Sequence, residues 1–157
     1  MHQTWQRDSY TISTDPSRID LKAVHGYLSG SYWAEAIPIE LVARSIAGSL
    51  AFGIYHGDGQ VGFARVISDK ATFAYVADVY VLESHRGQGL SKWLMEAIGS
   101  HPDLQGLRRW MLATRDAHGL YAQFGFTPVA RPESLMEILA VNPYLSRATS
   151  DGRREML

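Results

Sequence analysis

The stretch that most constrains this chain runs from Asp78 to Met95 and reads D-V-Y-V-L-E-S-H-R-G-Q-G-L-S-K-W-L-M. Residues 77–82 are apolar, with β-branched and aromatic side chains, which predicts a strand. Residues 83–88 are polar and predict a short turn. Residues 89–98 place apolar side chains at helical spacing, at Leu90, Trp93, Leu94, Ala97 and Ile98. The sequence therefore predicts a strand that enters a glycine-containing loop and continues into a helix.

A loop of this kind is suited to bind phosphate. The first amides of a helix have no partner inside the helix, and the helix dipole adds partial positive charge to them. Gly87 and Gly89 remove side chains where a ligand would touch the backbone, and Arg86 adds a charged contact. The loop is therefore predicted to cradle a phosphate or diphosphate. The alternative is a tight strand-to-helix turn that binds nothing.

Two familiar phosphate-binding loops do not match. The Walker loop requires Lys followed by Ser or Thr after its second glycine, and this chain has Leu90 and Ser91 there. The dinucleotide fingerprint requires a third glycine, and Lys92 stands in its place. Another nucleotide-binding function is therefore a weaker interpretation.

The chain resembles the GNAT superfamily of N-acetyltransferases in two separate blocks. The sequence Arg86-Gly87-Gln88-Gly89-Leu90-Ser91 matches the acetyl-CoA loop of that family, R/Q-x-x-G-x-G/A, except that Ser91 replaces the final Gly or Ala. The sequence A-H-G-L-Y-A-Q-F-G-F at residues 117–126 is similar to the later helix of the family, A-x-x-L-Y-x-x-x-G-F. The resemblance covers residues 50–130 well and the N-terminal third in outline only.

The resemblance implies both a fold and a cofactor site. The fold is a single α/β domain over residues 1–157, with a mixed, mostly antiparallel sheet flanked by helices. Two strands, residues 77–82 and 109–113, splay apart to admit the pantetheine arm of acetyl-CoA, which is the co-substrate. The implied cofactor-binding residues are Tyr80, Val81, Arg86, Gly87, Gln88, Gly89, Leu90 and Ser91. Tyr80 and Val81 are expected to act through their backbone, and Gln88 and Leu90 through their amides.

Two side chains are the candidate catalytic groups. Tyr121 occupies the tyrosine of the second block, and a phenol with a pKa near 10 can donate a proton to the departing thiolate at neutral pH. Asp78 precedes the V-x-V-like run and is expected to act as a base or to anchor the amine. The alternatives are that Tyr121 packs beside Phe124 and Phe126, and that a neighbouring loop satisfies Asp78.

The resemblance implies that the connection between the two N-terminal helices, residues 28–38, flanks the acetyl end of the cofactor, which makes it the candidate acceptor site. Tyr32 and Trp33 are large aromatic residues in this connection, before Pro38. They could form a wall for an amine or a cation–π face for an ammonium group. The alternative is that both pack into the core. The acceptor is expected to be a small-molecule or peptide amine.

Residue periodicity gives the remaining elements. Helices are predicted at residues 19–28, 39–46 and 117–124. Strands are predicted at residues 10–13, 50–55, 60–68, 72–82, 109–113 and 126–129, with a strand or turn at 135–141. Tight turns join the strands between residues 50 and 82 into an antiparallel meander, and a helix before residue 109 favours a parallel pairing. The tail from about residue 142 is expected to be loose.

Composition excludes several other functions. The chain has 157 residues, a formal net charge of -1 and no cysteine, which excludes disulfides, Cys-ligated zinc and thiol catalysis. The charge gives no reason to expect nucleic acid or a membrane surface as a partner, and no metal is expected. The first residues, M-H-Q-T-W-Q-R-D, contain no apolar signal-peptide core, so the protein is expected to be cytoplasmic. Exposed edge strands and apolar tail residues are compatible with a homodimer.

Two functions of different classes follow from these features. The leading one is an acetyl-CoA-dependent N-acetyltransferase that acts by direct transfer to a primary amine in a ternary complex. The alternative is a catalytically weak acyl-CoA-binding sensor or regulatory module. The presence of Tyr121 favours the enzyme.

Overall fold

A computed structural model describes residues 1–141 and 143–145. The predicted loose tail lies outside the described residues, apart from 143–145. Six strands form one sheet in the order β1-β2-β3-β4-β5-β6. They are β1 (Thr4–Arg7), β2 (Tyr10–Ser13), β3 (Leu50–His56), β4 (Gly59–Ser68), β5 (Phe73–Val81) and β6 (Arg109–Met111). The helices are α1 (Leu21–Leu28), α2 (Ile39–Ala47), α3 (Leu90–Ser100) and α4 (His118–Ala122).

The connections explain the direction of each strand pair. The four pairs from β1–β2 to β4–β5 are antiparallel, whereas β5 and β6 pair in parallel. Short turns join β3, β4 and β5, and a short turn can only reverse the chain. Helix α3 lies between β5 and β6 and carries the chain back, so the two strands run in the same direction. The predicted mixed, mostly antiparallel α/β sheet is confirmed.

The sheet buries one hydrophobic cluster on each face. Strand residues alternate between the faces, so Phe63 and Ala64 belong to different clusters. One cluster includes Leu94 and Ile98 of α3, both with no exposed surface. The other includes Val24 of α1 and Val42 of α2. The helices therefore cover both faces of the sheet.

Three segments differ from the sequence prediction. Strand β1 was not predicted, and it forms a hairpin with β2 through a turn in which Asp8 has a φ of 51°. Residues 126–129 form no strand, because Pro128 lacks the amide that a sheet ladder needs. Residues 135–141 also form no strand or helix, and the side chains of Met136 and Ile138 are fully exposed.

Within the described residues, no helix is both long enough and apolar enough to cross a membrane.

The packing of α3 on the sheet leads to a stability prediction. Leu94 is completely buried, so Leu94→Ala removes buried apolar contacts and leaves a cavity, which lowers the free energy of unfolding by about 2–5 kcal/mol. Leu139 is 70% exposed and provides a matched control, because Leu139→Ala removes the same atoms from a solvated position. Denaturant unfolding of both variants measures the difference. Equal stabilities would contradict this account of the core.

Candidate active site

The sheet opens between β5 and β6. These strands pair at only three positions, the last of which joins Tyr75 to Met111. Beyond this point, residues 76–79 and residues 112–114 line opposite sides of a cavity of about 790 Å³. The α1–α2 connection, α2 and Tyr121 form its other walls. The opening lies where the sequence predicted splayed strands.

A bulge in β5 places Asp78 at this cavity. Phe63 pairs with Tyr80 and Arg65 pairs with Ala77, so Asp78 and Val79 together face only one residue of β4. Asp78 has a φ of 55°, a left-handed conformation that Asp tolerates better than most residues. Such a bulge bends the strand, leaves the extra residue out of the ladder and redirects its side chain.

The carboxylate of Asp78 has two partners at the edge of the cavity. Trp33 Nε1 donates a hydrogen bond to Oδ1 over 2.8 Å, and Arg65 Nε donates one to Oδ2. Arg65 also donates from Nη1 to the hydroxyl of Ser49 over 3.1 Å. The side chains of Asp78 and Arg65 are only 10% and 18% exposed. The pair is therefore shielded from water, and each carboxylate oxygen keeps a lone pair for a further donor.

The α1–α2 connection reaches both sides of the cavity. Trp33 bonds to β5 through Asp78, and the hydroxyl of Tyr32 accepts a hydrogen bond from the backbone amide of Arg115 over 3.3 Å. The guanidinium of Arg115 lies 3.8 Å from the centre of the Tyr32 ring. Tyr32 and Trp33 nevertheless remain 51% and 40% exposed, so they are not core residues. They form an aromatic rim across the opening.

Tyr121 lies at the inner end of the cavity. It also lines a second cavity of about 940 Å³ between β6, α3 and α4, so it stands where the two spaces meet. Its side chain is buried. Burial raises the pKa of Tyr121, and the nearby Tyr32 and Asp116 raise it further. The phenol therefore keeps its proton and can donate it.

The segment that carries Tyr121 is fixed at its start. The hydroxyl of Thr114 accepts a hydrogen bond from the amide of Ala117 over 3.0 Å. The Tyr121 ring makes an edge contact with Phe126, with 6.0 Å between the ring centres. The packing against Phe126 that the sequence offered as an alternative is thus present, and Tyr121 lines both cavities at the same time.

The glycine loop lies at the far end of β5. Gly87 and Gly89 have φ values of 80° and 75°, conformations that favour glycine. Gly89 is the N-cap of α3 and no side chain caps the helix, so the first amides of α3 remain available to a ligand. A side chain added at Gly87 would meet no atom within 4 Å, which shows open space beside the loop.

The side chains of the other predicted cofactor residues contact the protein and not open space. Arg86 donates to the carbonyl of Val81 over 2.9 Å and to the hydroxyl of Tyr27 over 3.2 Å. Tyr80 stacks on Tyr27 with 3.9 Å between ring centres. The side chains of Tyr80, Val81 and Leu90 are buried, which leaves their backbone for ligand contacts.

The remaining two loop residues differ in their surroundings. The side chain of Gln88 accepts a hydrogen bond from the hydroxyl of Tyr10 over 3.3 Å. Ser91 lies in the first turn of α3 beside the uncapped amides.

The structure also adds residues that the sequence did not indicate. Arg65 lies 13 positions before its partner Asp78, and Tyr10 lies 78 positions before Gln88. Among the described residues, no group of three or more His, Asp or Glu side chains could hold a metal ion.

Comparison with known proteins gives consistent matches. The model of the acetyltransferase (GNAT) domain matches residues 47–128. A candidate acetyltransferase of Gibberella zeae is 33% identical over 144 aligned residues, covering 77% of this chain and 80% of the relative. The crystal structure of a GNAT-family protein from Xanthomonas campestris pv. campestris is 56% identical, with a TM-score of 0.85 over 86% of this chain and 96% of that one.

A more distant structure shares the fold alone. It is an acetyltransferase candidate from Clostridium acetobutylicum, determined with acetyl-CoA, and it is 13% identical. The TM-score is 0.62, over 88% of this chain and 96% of that one.

The shielded pair at the cavity edge leads to a second stability prediction. Asp78→Asn keeps the shape and the tolerance for a left-handed backbone but leaves Arg65 without a countercharge, so it lowers the free energy of unfolding by about 1–3 kcal/mol. Asp103→Asn is the matched control, because Asp103 and Lys70 are about half exposed and their pair contributes under about 1 kcal/mol.

A double-mutant cycle with Arg65→Met isolates the pair itself. We expect Asp78→Asn to cost less in the Arg65→Met background, with a coupling energy on the order of 1 kcal/mol. Equal losses for Asp78→Asn and Asp103→Asn, together with no coupling, would show that the pair is not a structural element of the site.

Proposed function

The chain belongs to the GNAT family of acetyltransferases, and we propose that it transfers an acetyl group from acetyl-CoA to a primary amine by direct attack in a ternary complex. The observation that carries this proposal is the arrangement along β5. Its bulge borders the cavity at Asp78 and Val79, and its C-terminal end leads into the uncapped glycine loop. One strand thus connects an acceptor cavity with a phosphate cradle.

The glycine loop fits the diphosphate of acetyl-CoA. Gly87 and Gly89 have left-handed torsions and no side chains, so a ligand can approach the backbone there. The free amides of α3 can donate hydrogen bonds to phosphate oxygens. Gln88, Leu90 and Ser91 contribute amides to the same cradle. When bound, acetyl-CoA supplies a thioester carbonyl that is open to attack by an amine.

The backbone of β5 is proposed to hold the pantetheine arm. The buried side chains of Tyr80 and Val81 fix the strand, and β6 pairs with β5 only as far as Tyr75, so neither residue pairs with β6. The bulge removes a residue from the regular ladder, which frees backbone at the point where the thioester carbonyl would lie. A free strand amide at this point would stabilise the developing negative charge on the carbonyl oxygen.

Tyr121 is proposed as the acid for the leaving thiolate. As the amine nitrogen bonds to the carbonyl carbon, the carbon–sulfur bond breaks and the sulfur takes the phenolic proton. The proton that the nitrogen loses as it becomes an amide then restores the phenol. The raised pKa of Tyr121 keeps the hydroxyl protonated at the pH values where amines begin to lose their protons. Tyr121 lines both cavities, a position from which its hydroxyl can donate to the sulfur of a thioester bound between them.

Asp78 is proposed to anchor the incoming amine and not to accept its proton permanently. The Arg65 guanidinium and the Trp33 indole each bind one carboxylate oxygen, which fixes the carboxylate at the edge of the cavity, where it can pair with an ammonium group. A free lone pair on each oxygen can receive the substrate N–H. Water in the open cavity then takes the proton that the amine must lose before it attacks.

Tyr32 and Trp33 are proposed to contact the acceptor. Their exposed rings cross the mouth of the cavity and offer apolar and cation–π surface beside the Asp78 carboxylate. A small-molecule or peptide amine with an aliphatic or aromatic portion next to its amino group suits this rim.

Binding of acetyl-CoA tests the cradle. At a hundred times its dissociation constant, acetyl-CoA should stabilise the wild-type protein by about 2.7 kcal/mol, seen as a rise in melting temperature that NAD does not give. Gly89→Val should abolish this rise, because a branched side chain at a φ of 75° distorts the loop. Gly106→Val is the matched control, since Gly106 has a φ of 70° far along the chain from the loop.

If Gly89→Val retained the wild-type shift with acetyl-CoA, the glycine loop would be only a structural turn. Comparing each variant with and without ligand separates this outcome from the loss of stability that both substitutions cause.

Turnover tests the acid. Tyr121→Phe removes only the hydroxyl, so kcat should fall about a hundredfold or more while the affinity for acetyl-CoA changes little. The assay is thiol release from acetyl-CoA with a panel of primary amines. Tyr75→Phe, at another tyrosine of the same cavity, should keep the wild-type rate within about twofold. Similar rates for the two variants would assign Tyr121 to packing.

A further inference from the structure

The N-terminal hairpin contacts the glycine loop from the opposite edge of the sheet. The hydroxyl of Tyr10, on β2, lies 2.8 Å from Nδ1 of His85 and donates to the side chain of Gln88 over 3.3 Å. Tyr10 is buried, and its ring also packs on His56 with 4.8 Å between ring centres. The hairpin therefore packs against the glycine loop, although it lies at the other edge of the sheet.

Arg7, the last residue of β1, extends from this hairpin along α3. Its guanidinium lies 5.1 Å from the ring centre of Trp93 and 3.7 Å from the carboxylate of Glu96. Its Nη1 atom lies 4.0 Å from the position that a β-carbon on Gly89 would occupy. Gly89, Trp93 and Glu96 follow helical spacing, so they form one stripe of α3. Arg7 thus places a positive charge beside the first turn of that helix.

The guanidinium that the sequence assigned to the phosphate is oriented elsewhere. Arg86 donates to the carbonyl of Val81 and to the hydroxyl of Tyr27 on α1, so it braces the loop. Arg7 is the arginine whose guanidinium lies against Gly89. Its side chain is 41% exposed, and Glu96 is 59% exposed, so their ion pair is weak and easily exchanged.

We propose that Arg7 is a further cofactor-binding residue, which pairs with the diphosphate of acetyl-CoA held by the glycine loop. This inference rests on the proposed function. A guanidinium can donate two parallel hydrogen bonds to a phosphate, and such charge-assisted bonds are stronger than neutral ones. Arg7 would exchange the exposed carboxylate of Glu96 for a diphosphate, which carries two negative charges, while the ring of Trp93 supports the planar face of the guanidinium.

Binding calorimetry with three ligands tests this assignment. CoA carries the diphosphate and the 3′-phosphate, 3′-dephospho-CoA keeps only the diphosphate, and pantetheine has neither. Arg7→Gln should weaken binding of CoA and of dephospho-CoA by about tenfold and leave pantetheine unchanged. Arg7→Lys keeps the charge but loses the planar guanidinium that binds phosphate through two hydrogen bonds. Its affinity for CoA should therefore lie between those of the wild type and Arg7→Gln.

Arg108→Gln is the matched control, because it removes the same charge. Arg108 is an exposed residue just before β6, and it lies at the opposite end of the sheet from the loop. This variant should bind all three ligands as the wild type does. Equal affinities of Arg7→Gln and Arg108→Gln for CoA would overturn the inference and leave the proposed function standing.

Two further outcomes are decisive. A loss that appears with CoA but not with dephospho-CoA would place Arg7 at the 3′-phosphate and overturn the diphosphate assignment. A wild-type protein that binds neither CoA nor dephospho-CoA would overturn the proposed function and this inference together. Because Arg7 is a partly exposed residue at the end of an edge strand, Arg7→Gln should fold normally, and its unliganded melting temperature verifies this.

Discussion

Strand β5 meets its two neighbours over very different lengths, and the site depends on this difference. With β4 it pairs along almost its whole length, but with β6 it pairs at three positions only. A sheet whose strands stayed paired would leave no space between residues 76–79 and 112–114. The cavity therefore exists because hydrogen bonds that a longer pairing would form are left unmade. Backbone groups left unpaired at such an opening need water or a ligand as partner.

The bulge at Asp78 stores a local conformational cost at the same point. A residue other than glycine in the left-handed region is unfavourable by about 1–3 kcal/mol, and it persists only where its surroundings hold it. Here the Arg65 guanidinium and the Trp33 indole bind the two carboxylate oxygens. The side chain that faces the cavity is thus also the one that fixes the bulge. Charge, backbone strain and the position of the aromatic rim are coupled through a single carboxylate.

The sequence predicts best what depends on local periodicity. The strand, the glycine loop and α3 appear close to their expected bounds, because apolar spacing and two glycines define them within one short stretch. Contacts between distant residues are not visible in such patterns. The partners of Asp78 lie 13 and 45 positions away, and no spacing rule connects them. Strand β1 is only four residues long, and three of the four are polar. The proline at residue 128 prevents the strand that the apolar residues around it suggested.

The glycine loop itself combines both kinds of information. Its torsions follow from Gly87 and Gly89, yet its position is fixed by Tyr10 and by Tyr27, which reach it from β2 and α1. Both tyrosines precede residues 47–128, the part of the chain that the family model matches. The short motif therefore sets the torsions of the loop, whereas the N-terminal third determines how rigidly the loop is held. If the loop binds acetyl-CoA as proposed, relatives that share the motif but differ in the hairpin should bind it with different affinity, since a preorganised loop loses less conformational entropy on binding.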